Sequence, residues 1–381
     1  MESLGAGRYS RLVKFWNERG IMVGDGNNQL RLSVLIPTYN RAEIFRETLR
    51  HLADQDLDPT AYEVVVIDDG STEHNRAVAE EWVSRASFRL RYTYQTNHGP
   101  GHAYNRALEA AEAPIVLYLG DDMLLPRQSL KAHLETHEAH PEEAAAVLGP
   151  VVQSPMLDQS VFLRKWDRIR IDRFAGMLEV PYYRFWTCNV SAKREFVLRH
   201  GRMPEAIGEG GPIAHQDPEL GYQLSHHGLR IFYCPDAVAF HHEVVTLDEQ
   251  CQKDHNRGIS FGELRERVGQ PEISVAYHVW DISTVRDHLR IWFGPRRHLV
   301  PLRDRNPALL LVHYLLRGLA FNTLTVNLLW KPLAERAERS PAIARFMRSP
   351  FYRGILSYHF YRGYRKGRTW TRAPAAQPKQ A

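Results

Sequence analysis

Four short apolar runs, set between helix-like segments, fill the stretch from Leu32 to Leu119 and leave few architectures open. Leu32–Ile36 (LSVLI), Tyr62–Ile67 (YEVVVI) and Ile115–Leu119 (IVLYL) are unbroken, and Leu90–Gln95 alternates. Between them, Glu43–Leu52 places Ile44, Phe45, Leu49 and Leu52 at helical spacing, and Ala77–Ser84 and His102–Ala111 read as further helices. Strands covered on both faces read as continuous apolar runs, whereas half-solvated strands alternate. The succession therefore predicts an α/β fold, with a Rossmann-like, mostly parallel sheet and helices on both faces.

In such sheets ligands bind beyond the carboxyl ends of the strands. Three of the four runs end in polar loops carrying Thr38, Asp69, and the pair Asp121 and Asp122, which places these residues on one rim. An isolated Asp-Asp is usually a solvated turn. On a shared rim it gains a chemical reading. Carboxylates accept hydrogen bonds from a base N–H or from ribose hydroxyls, and they bridge hard divalent cations to phosphates. Gly99-Pro100-Gly101 precedes the helix from His102, which lets backbone N–H groups approach a ligand at a helix N-terminus. Neither GxGxxG nor GxxxxGK[ST] occurs, which argues against dinucleotide binding of that type and against a P-loop ATPase.

The 381 residues suffice for one large α/β domain and an appendage. The net charge of +5 is unevenly spread: residues 331–381 hold twelve Lys or Arg against Glu335 and Glu338, so residues 1–330 are net acidic. Cys188, Cys234 and Cys251 have no metal-type spacing and form no even framework. Together with the absence of an apolar leader in residues 1–30, they lead to the expectation of free thiols and a cytoplasmic protein. Within residues 1–30, Tyr9–Arg19 reads as a short helix and Gly24–Asn28 as a loop.

Four segments, LSVLIPTYNR, VVVIDDGST, NHGPGHAYNRALEAA and IVLYLGDDMLLP, resemble in order and spacing the family-2 type of inverting glycosyltransferase with the GT-A fold. Downstream, Thr187–Ser191 with Arg194-Glu195, the segment HQDPELGYQL from His215, and VAFHH at 238–242 extend the resemblance over residues 31–245. On this reading residues 1–30 are an N-terminal extension, 31–245 the GT-A domain, 246–300 a helical lid or acceptor-side region, and 301–381 a basic, aromatic-rich helical tail.

The resemblance implies transfer of a sugar from a nucleotide-diphosphate sugar, UDP by default, to an acceptor hydroxyl of a glycan, a lipid-linked precursor or another molecule, with inversion. It implies Mn²⁺ or Mg²⁺ and a place in cell-surface polysaccharide or glycolipid synthesis. Donor-binding residues are then Pro37, Thr38, Tyr39, Asp69, Asn105, Asp121 and Asp122, with Asp122 as metal ligand and Asp121 nearer the ribose. Asp217 is the catalytic base, or alternatively a helix cap. Trp186, Asn189 and Glu219 fall on the acceptor side. Of His241 and His242, the second is preferred as a further metal ligand. The sequence departs from the family pattern at three positions. Gly120 stands where an acidic residue is frequent, Gln216 where Glu is usual, and Ala103-Tyr104-Asn105 replaces Ala-Arg-Asn, leaving Arg106 or Tyr104 as substitutes. Those departures are the support for a catalytically silent binding or scaffold protein. A nucleotidyltransferase would want a Gly/Arg/Lys-rich loop after the first strand, and PTYNR is not one.

Lys253, His255 and Arg257 read either as the cations of a mobile lid or as a solvated basic helix. Asn306–Trp330 is rich in Leu, Val and Phe but holds Arg317, which disfavours a membrane span. The cations beyond it interleave with aromatic residues, a pattern suited to an anionic membrane surface at the inner face. A helical bundle packed on the catalytic domain is the competing reading. A nucleic-acid arm has similar composition, but no nucleic-acid partner is expected. Ala373–Ala381 reads as disordered.

Overall fold

The computed structural model describes residues 30–72, 74–157, 160–166, 177–205, 214–277, 282–293 and 307–370. The N-terminal extension, the Gly208–Gly211 loop and the end of the tail lie outside these.

An eight-stranded sheet has the order β3-β2-β1-β4-β9-β6-β10-β8. Its strands are β1 Leu32–Thr38, β2 Tyr62–Asp69, β3 Arg89–Gln95, β4 Ile115–Leu119, β6 Ala145–Leu148, β8 Glu179–Val180, β9 Asn189–Lys193 and β10 Arg230–Tyr233. The four strands read from sequence pair in parallel, with Val34 opposite both Val64 and Leu117. β9 runs antiparallel between β4 and β6. Each strand of the unbroken apolar type is buried along its whole length apart from Pro37, as two covered faces require.

From β1 the chain winds outward through β2 to β3, then returns to place β4 on the other side of β1. This reversal opens a crevice at the carboxyl ends of β1 and β4, where Thr38 and Asp121 stand. A second, small sheet, β5-β11-β7 (Met123–Leu124, Ala239–His241, Val151–Gln153), roofs that end. Antiparallel pairing sets His241 opposite Met123 and so brings it beside Asp122.

Leu247–Val268 is a helix that opens on a capping box, Thr246 with Glu249. It packs along the helix Ser349–Trp370 at backbone contact. A methyl group at Gly258 would strike the Phe360 carbonyl, and one at Gly363 the His255 carbonyl. Glycine lets the two backbones meet there. Lys253 is paired with Glu243 at 2.6 Å, and His255 lies against the His359 carbonyl, so this stretch is seated between the sheet domain and the tail.

Candidate active site

Thr38, at the end of β1, donates to Asp121 Oδ2 at 2.8 Å across the crevice and accepts from Asn75 Nδ2 at 2.9 Å. Thr48 holds the Asp121 carbonyl at 2.7 Å. Pro37 precedes this contact within β1, and Tyr39 beyond it is exposed, open to a ligand on the rim. Both carboxylates of the acidic pair are buried. Arg41 spans them, with Nη1 at 3.0 Å from Asp121 Oδ1 and 3.0 Å from Asp122 Oδ2. Burial pushes Asp121 up, aided by the charge of its neighbour, while bonds from His241 and Arg41 hold Asp122 low against the same burial.

The two histidines at the end of the late strand take different partners. His242 turns its Nδ1 to Ser154 Oγ at 2.9 Å, and its amide donates to the Asp122 carbonyl. His241, one step earlier on the strand, faces the other way, with Nε2 at 3.4 Å from Asp122 Oδ2 and 3.6 Å from Glu243 Oε2. Alternate residues of an extended chain share a face, so His241 brings Glu243 with it. The ligand atoms of Asp122, His241 and Glu243 lie within 4.8 Å of one another. Two carboxylates and one imidazole suit Mn²⁺ or Mg²⁺. Glu243 was absent from the sequence reading, although its spacing of two from His241 was the available signal.

Asp69 uses both oxygens inside the chain. It accepts from Gln95 Nε2 at 2.6 Å and from the amides of His98 and Gly99 at 2.9 and 2.8 Å. It thereby fixes the loop that Gly99 turns at φ 87°. Asp68 makes the turn contact instead, to the Ser71 amide. Asn105, expected at the donor, has its amide group bonded to the carbonyl and N–H of Met203 and to the carboxylate of Glu205. Asn189 is likewise internal, fully buried and bonded to Ala237 O and His133 Nε2. Glu219 forms an ion pair with Arg267 at 2.8 Å, on the far helix.

Asp217 lies in the first turn of the helix Gln216–Ser225. It sits deep among protein atoms yet keeps some contact with solvent. Desolvation lifts its carboxyl to about 7, against the backbone N–H groups of Asp217 itself and Thr187. Trp186, partly buried under the Arg184 guanidinium at 5.0 Å, adjoins Thr187. Tyr104 connects the two halves of the site, its hydroxyl reaching Leu119 O at 3.2 Å and Thr187 O at 2.9 Å. The end of β4, before the acidic pair, is thus one side chain away from the residue that bonds Asp217. Arg106 is bonded to Gln95.

Two family departures have local reasons. Gln216 donates to the Pro204 carbonyl, where a glutamate would set an unprotonated oxygen against oxygen. A side chain at Gly120 would crowd Asp122 Oδ1 at 2.8 Å. His215 opens the HQDPELGYQL segment, and the structure adds a role that its position alone does not state. It holds φ 69°, the left-handed region that costs a non-glycine residue strain. Its Nε2 must donate to the Arg257 carbonyl at 3.0 Å, so Nδ1 accepts from Tyr277 at 3.0 Å. Burial lowers its pKa to about 3, consistent with that neutral tautomer. The residue fastens the start of the Asp217 helix to the helix behind it.

Residues 33–182 match the family model for glycosyl transferase family 2. This chain carries a family-2 glycosyltransferase domain. A validoxylamine A glucosyltransferase of Streptomyces hygroscopicus subsp. limoneus is 33% identical over 226 residues, covering 52% of this chain and 48% of that protein. A poly(ribitol-phosphate) β-N-acetylglucosaminyltransferase of Staphylococcus aureus is 30% identical over 133 residues, 35% of this chain and 23% of that one. The chain thus spans about half the length, or less, of these two curated relatives. A mannosyltransferase from Pyrobaculum calidifontis, solved with GDP-Man and Mn²⁺, superposes with TM-score 0.53 at 19% identity over 96% of this chain and 94% of that one. The fold of the family-2 domain is GT-A, with a helical region following it.

Proposed function

We propose that this protein transfers a sugar from a nucleotide-diphosphate sugar, UDP-linked by default, to an acceptor hydroxyl with inversion, in the assembly of a cell-surface glycan or glycolipid. One observation carries the reading: Asp217, a carboxyl lifted to about 7, accepts from the backbone of Thr187, and Tyr104 ties Thr187 to Leu119 at the end of β4, just before the acidic pair. Its pKa matches a base that takes a hydroxyl proton near neutrality. Asp122, His241 and Glu243 would hold Mn²⁺ or Mg²⁺, which supplies charge to the departing diphosphate. Arg41 contributes a fixed cation on the same side. Asp121, held by Thr38, orients toward the ribose. Trp186, whose neighbour Thr187 bonds Asp217, would meet the acceptor. Separating the base from the charge-neutralising group lets the acceptor attack opposite the leaving diphosphate, which is the geometry of inversion. The glucosyl- and N-acetylglucosaminyltransferase relatives support a hexosyl donor.

The test is release of nucleoside diphosphate from a panel of UDP- and GDP-sugars with Mn²⁺ and mixed glycan acceptors. Asp217→Asn should lower turnover by about 10²–10⁴-fold while retaining donor binding. Unchanged turnover in Asp217→Asn and in Asp122→Asn would refute the reading.

A further inference from the structure

We propose that the leucine-rich face of residues 312–329 is an in-plane docking surface for an anionic lipid membrane. The helix Pro307–Ala320 ends at Phe321–Asn322, where Asn322 caps a new turn. Fourteen residues rise about 21 Å, short of the roughly 30 Å hydrocarbon core. No helix among the described residues is long and apolar enough to cross a membrane. Yet Leu315, Leu316, Leu319, Leu324 and Leu328 are each 56–73% exposed. A cluster of that kind on a soluble chain marks an interaction surface.

The opposite side of the segment is fastened to protein. Arg317 lies over the Tyr361 ring at 5.8 Å, Tyr358 donates to Thr323 Oγ1 at 2.9 Å, and Trp330 Nε1 donates to the Ala320 carbonyl at 2.6 Å. The arginine that disfavours a spanning helix therefore belongs to the protein-facing side, and the leucines face outward.

Charge identifies the occupant. Residues 331–370 carry ten Lys or Arg against two glutamates, and Glu338 is committed to the amides of Val161 and Phe162. The cations adjoin the apolar face through a run of rings: Trp330 lies 4.9 Å from Phe351, which lies 5.2 Å from the exposed Phe346. Next to Phe346, Arg345 joins Arg164, Lys165 and Arg339 around a cleft of about 470 Å³. An apolar face with a cationic margin and an interfacial Trp matches a membrane surface, where burial of apolar groups and attraction to anionic headgroups act together. A second copy of the chain, meeting this face through a two-fold axis, would bring the same positive margin against itself.

The test is flotation of the full chain with vesicles of phosphatidylcholine alone and with 30% phosphatidylglycerol, alongside light scattering. The expected result is a monomer that binds the anionic vesicles at least about tenfold better than the neutral ones. Leu316→Ser/Leu319→Ser/Leu328→Ser should lose about tenfold of that binding, and Arg339→Gln/Arg345→Gln should reduce it only for anionic vesicles. These positions are exposed, and an unchanged melting temperature verifies the fold. Absence of binding, binding indifferent to the leucine changes, or a dimer that the leucine changes dissociate would overturn the proposal. The readout is independent of sugar transfer, so the two readings fail separately.

Discussion

Arg41 donates to Asp122 across 3.0 Å, and the same nitrogen reaches Asp121. The guanidinium supplies the positive charge that two buried carboxylates require. A divalent ion held by Asp122, His241 and Glu243 would meet that charge a few ångströms away. Even with strong screening, such repulsion is about 1–2 kcal/mol. Arg41→Met should therefore bind Mn²⁺ about tenfold more tightly in the absence of donor, as measured by calorimetry. Weaker binding would mean that Arg41 organises the ligands instead of competing with the ion.

Asp217 sets a pH dependence whose sign is fixed. The base acts when ionised, so kcat/KM should rise with pH to a plateau above about 7 and fall about tenfold per unit below it. Stability runs the opposite way. The folded carboxyl titrates near 7 and the unfolded one near 4. Its contribution is therefore fully present below about pH 4 and lost as pH rises through 7. Asp217→Asn should melt higher than the parent at pH 8, with the gap closing by pH 4, and scanning calorimetry at both values measures it. A parent protein as stable as the variant at pH 8 would show that the carboxylate is well solvated.

The strands and their rim were legible because burial on two faces leaves unbroken apolar runs, and parallel strands must end together. Thr38, Asp121 and Asp122 followed from that alone. Partners were not legible. Asn105 finds its bonds at Met203, 98 residues away, and Asn189 at Ala237, 48 residues away. A family motif transmits a residue's position without saying which groups it satisfies. The reach of Arg41 depends on how the helix Ala42–Ala53 leaves β1, which no local sequence pattern sets. The tail's packing rests on glycines at 258, 363 and 367, whose close contacts exist only once two distant helices meet.

Gly101 has a role other than admitting a ligand's charge. A methyl group there would collide with the Pro204 carbonyl and the Gln216 amide. The backbone obstacle is the Pro204 carbonyl, which accepts from Gln216 Nε2, so that contact at the start of the Asp217 helix must shift. Displacement of about 1 Å at a reacting group costs about 100-fold. Gly101→Ala should lower kcat by that order with a smaller effect on donor KM, because the base moves while the β1–β4 rim stays. Steady-state kinetics separates the two, and an equal loss in both would mean that the whole crevice had shifted.

The histidine pair gives the sharpest test of register. His241 faces Asp122 and Glu243, whereas His242 faces Ser154, although one peptide bond joins them. Replacing an imidazole that ligates an ion removes one of three protein donors, an effect at least as large as the ten- to hundredfold losses seen for outer-shell partners. His241→Ala should thus weaken Mn²⁺ binding at least about tenfold, followed by the resonance of free Mn²⁺. His242→Ala gives up one hydrogen bond, about 1 kcal/mol of stability, and should leave Mn²⁺ affinity within about twofold. The reverse order would place the ion on the other face of β11 and move the proposed site from Glu243 toward Ser154.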